Sequence, residues 1–238
     1  MARPRKLKIA AVLIAVAVAA PSPTLAAAGG VGLAGGAPSA TAAAVANQLV
    51  TVSGDGITAS SHTGVLLYGH LWLTGTASST QSGRALVIEQ QSPASPQWTQ
   101  ATTTTVGPGG SFVAAWSPQQ VGRFALRIVL AGSSRVSPAI SVIAYRPSRA
   151  TLFGPGLYGN HTACGAVLKK PTLGVANRKL PCGTEVAIYY RGRTVVVPVI
   201  DRGPYANHAN WDLTTATGRA LGMDSTGTVG AISLAALR

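Results

Sequence analysis

The chain has 238 residues, with 19 Lys and Arg against 6 Asp and Glu, which gives a formal net charge of +13. Charged residues make up 11% of the chain, against roughly 25% in an average soluble protein, so long charged surface helices are excluded. The hydrophobic share of 47% excludes a disordered chain, and the length is sufficient for two domains of ordinary size.

The N-terminus has the pattern of a secretory signal peptide. Four basic side chains within residues 3–8 precede an apolar run, residues 9–20, and Ala-x-Ala cleavage options follow near Ala26 and Ala28. The apolar run is too short to span a bilayer, which needs about 20 apolar residues. We therefore expect residues 1–28 to be a signal peptide. The product is expected to be secreted, without a transmembrane segment, and to be extracellular or associated with the cell wall.

The positive charge indicates an anionic partner, and export determines which one. An exported cationic protein meets anionic wall polymers and glycans before it meets DNA, so nucleic acid is not an expected partner. A monomer is expected, and nothing in the sequence indicates a cofactor or a metal site.

The next two segments differ in composition. Residues 29–46 are small and nearly uncharged, which predicts a flexible low-complexity lead-in. Residues 47–145 contain short β-like runs separated by Gly, Ser, Thr and Pro, with no helical period between them. Such spacing predicts an antiparallel β-sandwich, and the region resembles the immunoglobulin-like modules of secreted bacterial proteins.

Alternation and aromatic residues indicate the core of this predicted sandwich. Apolar side chains repeat with a period of two along one run, which places one face inside: Phe124, Leu126, Ile128 and Leu130. Three tryptophans could stack on a sugar, but aromatic side chains in sandwiches usually pack in the core. We therefore expect core positions for Trp72, Trp98 and Trp116.

A second domain is expected over residues 150–238, after a short linker at residues 146–149 within "YRPSRA". Its clear helix signal is "WDLTTATGRALGM", in which Asp212 or Thr214 can cap the N-terminus and Gly222 can end the helix. The runs "TEVAIYY" and "RTVVVPVI" flank "RGR" and predict a β-hairpin.

The chain has two cysteines, Cys164 and Cys182, and both lie in this second region. Oxidation outside the cell favours a disulfide, which in the chain-entropy model stabilises a loop of this length by about 3 kcal/mol. A free catalytic thiol and a metal site are the alternatives. No third and fourth ligand stands at zinc-like spacing, so the disulfide is the preferred interpretation.

Three segments carry a family resemblance: "ATLFGPGLYGNHTACG", "LPCGTEVAIYYRGRTVVVPVIDRGPY" and "WDLTTATGRALGM". They resemble the double-psi β-barrel domain of the rare lipoprotein A family, the septal-ring lytic transglycosylases, and more distantly the expansins. The resemblance spans Ala150 to about Leu234. It implies a six-stranded double-psi β-barrel with one short helix. Together with the preceding immunoglobulin-like sandwich, this predicts an all-β chain. It also implies a groove that takes a peptidoglycan glycan strand.

The resemblance also suggests catalytic residues. Asp201 is the Asp of the family's "DRGP" motif, which lies in the groove; it also ends an apolar strand, where side chains emerge at a rim. Alternatively, this carboxylate only accepts backbone N–H bonds that fix a turn. Asp212 is the second candidate, because the equivalent Asp of the "DLS" motif in expansins lies in the sugar-binding groove. Its alternative role is an N-cap carboxylate.

One carboxylate can be enough for this chemistry. Glycosidic cleavage needs a proton for the leaving oxygen and a group that meets the positive charge at the anomeric carbon. In a lytic transglycosylase the muramic acid 6-hydroxyl attacks intramolecularly and leaves a 1,6-anhydro end. The resemblance therefore implies Asp201 as the general acid and base.

The chain departs from the family pattern at two positions. Ala166 in "TACGA" stands where family members carry a Glu, and Asn177 in "GVANRKLP" stands where they carry a His. Asn can hydrogen-bond an N-acetyl group, but it does not exchange a proton near neutrality. Two of three expected polar groups of the groove are therefore replaced.

Further side chains on the motif segments suit sugar binding by hydrogen bonds and stacking, and structural packing is the alternative for each. These expected substrate-binding residues are Tyr158, Thr162, Asn177, Arg202, Tyr205 and Trp211.

Two functions follow from these patterns. The first is a lytic transglycosylase that cleaves peptidoglycan with Asp201 as its acid and base. The second is a non-catalytic, expansin-like module that binds or loosens wall polysaccharide, which the replacements at Ala166 and Asn177 favour. Only the family resemblance favours the first.

Overall fold

The computed structural model describes residues 44–45, 49–206 and 208–237. The predicted signal peptide, residues 1–28, lies outside the described residues, as does the predicted lead-in except for Ala44–Val45. Those two residues form a short strand, β1, which pairs antiparallel with residues 194–195. Within the described part of the chain, no helix is long and apolar enough to cross a membrane.

The N-terminal region consists of β-strands. In chain order they are β2 (Leu49–Gly54), β3 (Ile57–His62), β4 (Gly64–Leu66), β5 (Leu71–Ala77), β6 (Ala85–Ser92), β7 (Ser95–Thr105), β8 (Ser111–Trp116), β9 (Gly122–Leu130) and β10 (Ile140–Phe153). One sheet has the order β2-β3-β5-β8, and the other contains β4, β10, β9, β6 and β7. Both sheets contribute to one hydrophobic core, in which Leu73 and Phe112 from the first sheet are buried with Ile88 and Leu126 from the second. The region is thus a β-sandwich, and its immunoglobulin-like character stays a prediction.

The predicted alternation is confirmed, since all four of its residues are buried: Phe124, Leu126, Ile128 and Leu130. The tryptophans differ from one another. Trp116 lies in the core as predicted, and Trp98 is half-buried beneath the Arg127 guanidinium at 4.1 Å. The prediction for Trp72 is wrong, because its side chain lies on the solvent face of β5 and is 58% exposed.

Strand β10 connects the sandwich to the second region without a break. Residues 140–144 pair with β9, residues 146–150 pair with a later strand, β15 (Gly227–Ser233), and residues 150–153 pair with β14 (Trp211–Thr214). The expected linker at residues 146–149 is therefore regular strand, because its backbone hydrogen-bonds within the sheet.

The second region is a closed barrel. Its further strands are β11 (Val175–Ala176), β12 (Glu185–Tyr190), β13 (Arg193–Asp201), β14 (Trp211–Thr214) and β15 (Gly227–Ser233), with the helix α1 (Thr215–Leu221). Hydrogen-bonded neighbours follow the order β14-β11-β13-β12-β15-β10, and pairing of β10 with β14 closes the ring of six. Inward apolar side chains fill the barrel, among them Val175, Val186, Ile188, Val197 and Leu213.

Two local predictions for this region are confirmed. β12 and β13 form the expected antiparallel hairpin. The helix α1 is capped by Thr214, whose Oγ1 accepts a hydrogen bond from the Thr217 N–H group, and it ends at Gly222 with φ of +72°. Glycine adopts this left-handed conformation without the steric cost that a side chain would carry.

The contact between sandwich and barrel centres on Tyr145. This side chain is 2% exposed and stacks on Tyr189 with ring centroids 5.0 Å apart. Gly230 lies directly against Tyr145 and Leu66, so that even one methyl group at this position would overlap both side chains. The close approach of β15 to β10 therefore depends on a residue without a side chain.

We predict that Gly230→Ala destabilises the protein by about 1–3 kcal/mol, because overpacking forces side chains or backbone to shift. Denaturant unfolding of the full chain measures the change. Gly227→Ala, on the same strand, is the matched control, since a methyl group there has no neighbour nearer than 3.6 Å. Equal stabilities of the two variants would contradict the tight packing at Tyr145.

Candidate active site

Strand β13 changes its pairing register just before its last residue. Val199 faces the barrel core and pairs with Val175, but the next pair along the strands is Ala176 with Asp201, so Ile200 is an extra residue. In a regular strand, residues two apart point to the same face. The shift therefore turns Asp201 away from the core that Val199 occupies, as β-bulges do at many active sites.

A cross-strand row of side chains results on the outer face of the barrel wall. Ala176 is in register with Asp201 on one side and with Asp212 on the other, and Asp212 is in register with Thr151. Leu213, next to Asp212, points into the core, which fixes Asp212 on the outer face. Two strand spacings place the Cα atoms of the two aspartates about 10 Å apart. The small Ala176 separates them.

The Asp201 carboxylate is oriented by two backbone N–H groups. Its Oδ1 accepts hydrogen bonds from Ala163 N and from Arg202 N, both at 2.8 Å. The described residues donate no hydrogen bond to Oδ2. The half-buried carboxylate thus has one fixed oxygen and one oxygen available to a ligand.

The Asp212 carboxyl is half-buried and has a different environment. Its Oδ1 accepts a hydrogen bond of 2.7 Å from the Thr151 hydroxyl. Burial raises the pKa of Asp212 above its ordinary value, the charge of Asp201 raises it further, and the Thr151 hydrogen bond partly offsets both effects. Within the described chain the ion pair is Arg127 with Glu89, so no cation compensates Asp212. Asp212 therefore keeps its proton to a higher pH than an ordinary aspartic acid does.

A disulfide braces the loop that orients Asp201. Cys164 and Cys182 are bonded, as predicted, with Cα atoms 5.7 Å apart. Cys164 N also donates to Ile200 O at 3.3 Å. The Ala163 N–H group that binds Asp201 is thus in a segment tied both to β13 and to the loop around residue 182.

Arg202 is a second brace, although the sequence predicts a substrate-binding role. Its guanidinium donates to Asn177 O at 3.1 Å and Leu180 O at 2.9 Å, and it lies 3.1 Å from Cys182 Sγ. These contacts direct the side chain into the protein. Arg202 therefore positions the loop between β11 and β12.

The side chain of Asn177 also makes hydrogen bonds within the protein. Its Oδ1 accepts hydrogen bonds from Lys179 N and Leu180 N, both at 2.9 Å, while Nδ2 makes a long contact of 3.4 Å to Asn210 O. The side-chain oxygen fixes a turn, as Asn often does in loops. Only the Nδ2 group could still donate to a ligand.

The remaining predicted binding residues lie in contrasting environments. Tyr205 is 79% exposed, beside the end of β13. Trp211 is 8% exposed and packs in the barrel core, so it offers no stacking face. Tyr158 is half-buried, with its hydroxyl against Gly154. Thr162 is 8% exposed, and its Oγ1 has no hydrogen-bond partner among the described residues.

No other candidate position adds an acidic side chain to the row. Ala166 is exposed and supplies no acid. The remaining carboxylates of the barrel region, Glu185 and Asp224, are exposed and lie outside the row. Among the described residues, no cluster of three or more His, Cys, Asp or Glu side chains could hold a metal ion.

Sequence reasoning missed Thr151 and the Ala163 N–H group. Thr151 reaches Asp212 across a parallel pairing of β10 with β14, between residues 61 positions apart. Ala163 reaches Asp201 across 38 positions. Neither contact has a local sequence signal, although the alternation in "RATLF" was a clue that Thr151 faces outward.

Comparisons with known proteins cover the barrel. The protein family described as a lytic transglycolase matches residues 149–231. The probable endolytic peptidoglycan transglycosylase RlpA of Synechocystis sp. is 39% identical over 87 residues, which is 36% of this chain and 27% of that protein. The Aquifex aeolicus protein of the same name is 38% identical over 82 residues, 34% of this chain and 36% of that protein.

A third relative is the endolytic peptidoglycan transglycosylase RlpA of Campylobacter jejuni. It is 33% identical over 81 residues, 33% of this chain and 30% of that protein. The matched part of the chain covers between 27% and 36% of the length of these relatives. The family match and the closed ring of six strands agree with the expected architecture. Residues 149–231 are therefore an RlpA-like double-psi β-barrel domain.

Proposed function

We propose that the protein is secreted and cleaves peptidoglycan glycan strands by a lytic transglycosylase reaction, with Asp201 and Asp212 as its proton-transfer groups. The observation that carries the proposal is the placement of two carboxyl groups in one outward row, in different environments. The names of the relatives support the substrate class.

In this proposal Asp212 is the general acid. A general acid must be protonated at the working pH, and burial together with the neighbouring charge of Asp201 raises the pKa of Asp212. The Thr151 hydroxyl holds one oxygen and orients the carboxyl group. The proton is delivered to the glycosidic oxygen as the bond from that oxygen to the muramic acid C1 breaks.

Asp201 is the base. Its Oδ1 is held by two N–H groups, so Oδ2 can face the substrate in a fixed direction. As the 6-hydroxyl oxygen of the muramic acid bonds to C1, its proton passes to Asp201. Asp212 has then lost one proton and Asp201 has gained one, and exchange with solvent restores the starting state. Sequence reasoning gave both roles to Asp201, whereas the electrostatics favour dividing them.

Side chains around the row suit binding of the polymer. The exposed Tyr205 ring can pack on a sugar face, whereas the Thr162 hydroxyl is buried and does not reach the surface. Arg178 and Lys179 are exposed near the row, where they can attract anionic wall polymers. We expect a monomer to be sufficient for the reaction, because both carboxyl groups come from one chain.

A second candidate function is a wall-binding module without cleavage. It is favoured by the exposed Ala166, which supplies no acid, and by the Asn177 side-chain oxygen, which is occupied by the turn. In this alternative the same face of the barrel holds the glycan without breaking it.

We predict that full-length protein releases 1,6-anhydromuropeptides from purified peptidoglycan, measured by mass spectrometry. Asp212→Asn and Asp201→Asn should each lower the rate by about 100-fold or more, the usual contribution of a positioned acid or base. Asp224→Asn is the matched control, because that carboxylate is exposed between α1 and β15 and lies outside the row. Release that persists in both row variants would contradict the proposed chemistry. Wall binding without any release would support the second candidate.

A stability prediction follows from the raised pKa of Asp212. The folded state binds this proton more tightly than the unfolded chain, so the stability that Asp212 contributes is present at low pH. It is lost as the pH rises through the folded-state pKa. Asp212→Asn keeps the group neutral and should raise Tm relative to wild type more at about pH 7 than at about pH 3. A difference in Tm that does not change with pH would contradict the raised pKa.

A further inference from the structure

The outer face of the sheet β2-β3-β5-β8 has an unusual chemical composition. Outward side chains form two complete cross-strand rows, and seven of the eight carry hydroxyl groups. The first row is Thr51, Ser60, Thr74 and Val113, and the second is Ser53, Thr58, Thr76 and Ser111. These rows, together with Trp72, are called the hydroxyl face below.

The hydroxyl groups of this face are ordered. Thr51 Oγ1 and Ser60 Oγ are 2.7 Å apart, and Ser53 Oγ and Thr58 Oγ1 are 3.0 Å apart. In each pair either oxygen can be the donor, so each pair can offer a ligand a donor or an acceptor. From the usual spacing of strands and residues, the two rows cover about 14 Å by 7 Å.

Trp72 extends this surface along β5. It lies two residues before Thr74, points to the same side, and is 58% exposed. Its register partner on β8 is Ala115, which is too small to cover the indole. Ser61 Oγ donates to Trp72 O at 3.0 Å and fixes the strand at this point. The indole is thus presented to solvent from a rigid sheet.

The two rows contain no ionisable side chain, although the chain has a formal net charge of +13. Next to the rows, the same sheet face carries one exposed histidine, His62, two residues after Ser60 on β3. A polyanion would have no Lys or Arg side chain to pair with among the outward residues of these four strands.

The exposed apolar side chains Leu49, Trp72 and Val113 lie on three different strands. Each has a small or polar register partner: His62 for Leu49, Ala115 for Trp72 and Thr74 for Val113. Protein interfaces instead require a contiguous apolar centre. The surface therefore fits a ligand that is uncharged, rich in hydroxyl groups and apolar on one side of each ring.

We propose that the hydroxyl face is a second glycan-binding site, which holds an uncharged stretch of wall glycan strand while the barrel acts on the polymer. The apolar C–H face of a pyranose ring packs on the Trp72 indole, and its hydroxyl and N-acetyl groups hydrogen-bond the two rows. The choice of wall glycan as the polymer rests on the proposed function, whereas the sugar-binding chemistry rests on the face itself. This site accounts for an exposed tryptophan in a domain that has no catalytic signature.

Binding is tested by titrating the full chain with a β-1,4-linked N-acetylglucosamine hexamer, with calorimetry as the readout. Trp72→Ala should weaken binding about tenfold, as expected for loss of an aromatic contact. Thr74→Val removes one hydroxyl from the first row at constant shape and should also weaken binding. Tyr68→Ala is the matched control, since Tyr68 is an aromatic residue of the same domain, is 65% exposed and lies outside the rows. Its affinity should equal that of wild type.

Two further measurements, of salt dependence and of glycan cleavage, test the proposal. Because the face is uncharged, the part of the affinity that Trp72→Ala removes should not change between low and high salt. Release of 1,6-anhydro ends from soluble glycan should be unchanged in Trp72→Ala, which separates this site from the chemistry of the barrel. Absence of hexamer binding, equal affinity of Trp72→Ala and wild type, or a steep salt dependence would overturn the proposal. A Trp72-dependent dimer in place of glycan binding would also overturn it.

Discussion

The position of Asp201 depends on one extra residue in strand β13. Val199 and Asp201 are two positions apart and would share a face in a regular strand, but the register shift at Ile200 places Asp201 beside the outward Ala176. Without that shift, the carboxylate would point into the apolar barrel core, where an unpaired charge is strongly unfavourable. The outward row, and with it any chemistry on a large polymer, follows from this irregularity.

The contacts around the row fix its geometry. Among the described residues, neither of its two carboxyl groups has an ion-pair partner. The disulfide and Arg202 tie down the loops on both sides of the end of β13, and the Ala163 N–H group then fixes the direction of Asp201. Burial raises the pKa of Asp212, and the charge of the neighbouring Asp201 raises it further. Rigidity and electrostatics together distinguish two residues of the same type.

Local patterns in the sequence predict much of the fold. The alternation from Phe124 to Leu130 and the cap of α1 at Thr214 depend on neighbours in sequence, and both are confirmed. The register shift at Ile200 has no such signal, because "VVVPVID" is apolar at every position before Asp201 and does not reveal which residues face inward. The continuity of β10 depends on partners from both regions, which the local signal of Pro and Arg could not indicate. Trp72 was misplaced because composition alone does not define which face of a strand a side chain occupies.

The coupling between the two aspartates is the central claim, and carboxyl-carbon NMR titration of the full-length protein tests it directly. The account predicts that Asp212 titrates above an ordinary aspartic acid, and that Asp201→Asn lowers the pKa of Asp212 because the neighbouring negative charge is removed. Asp224→Asn should leave the Asp212 titration unchanged. An Asp212 that titrates like an ordinary aspartic acid and does not respond to Asp201→Asn would contradict the account.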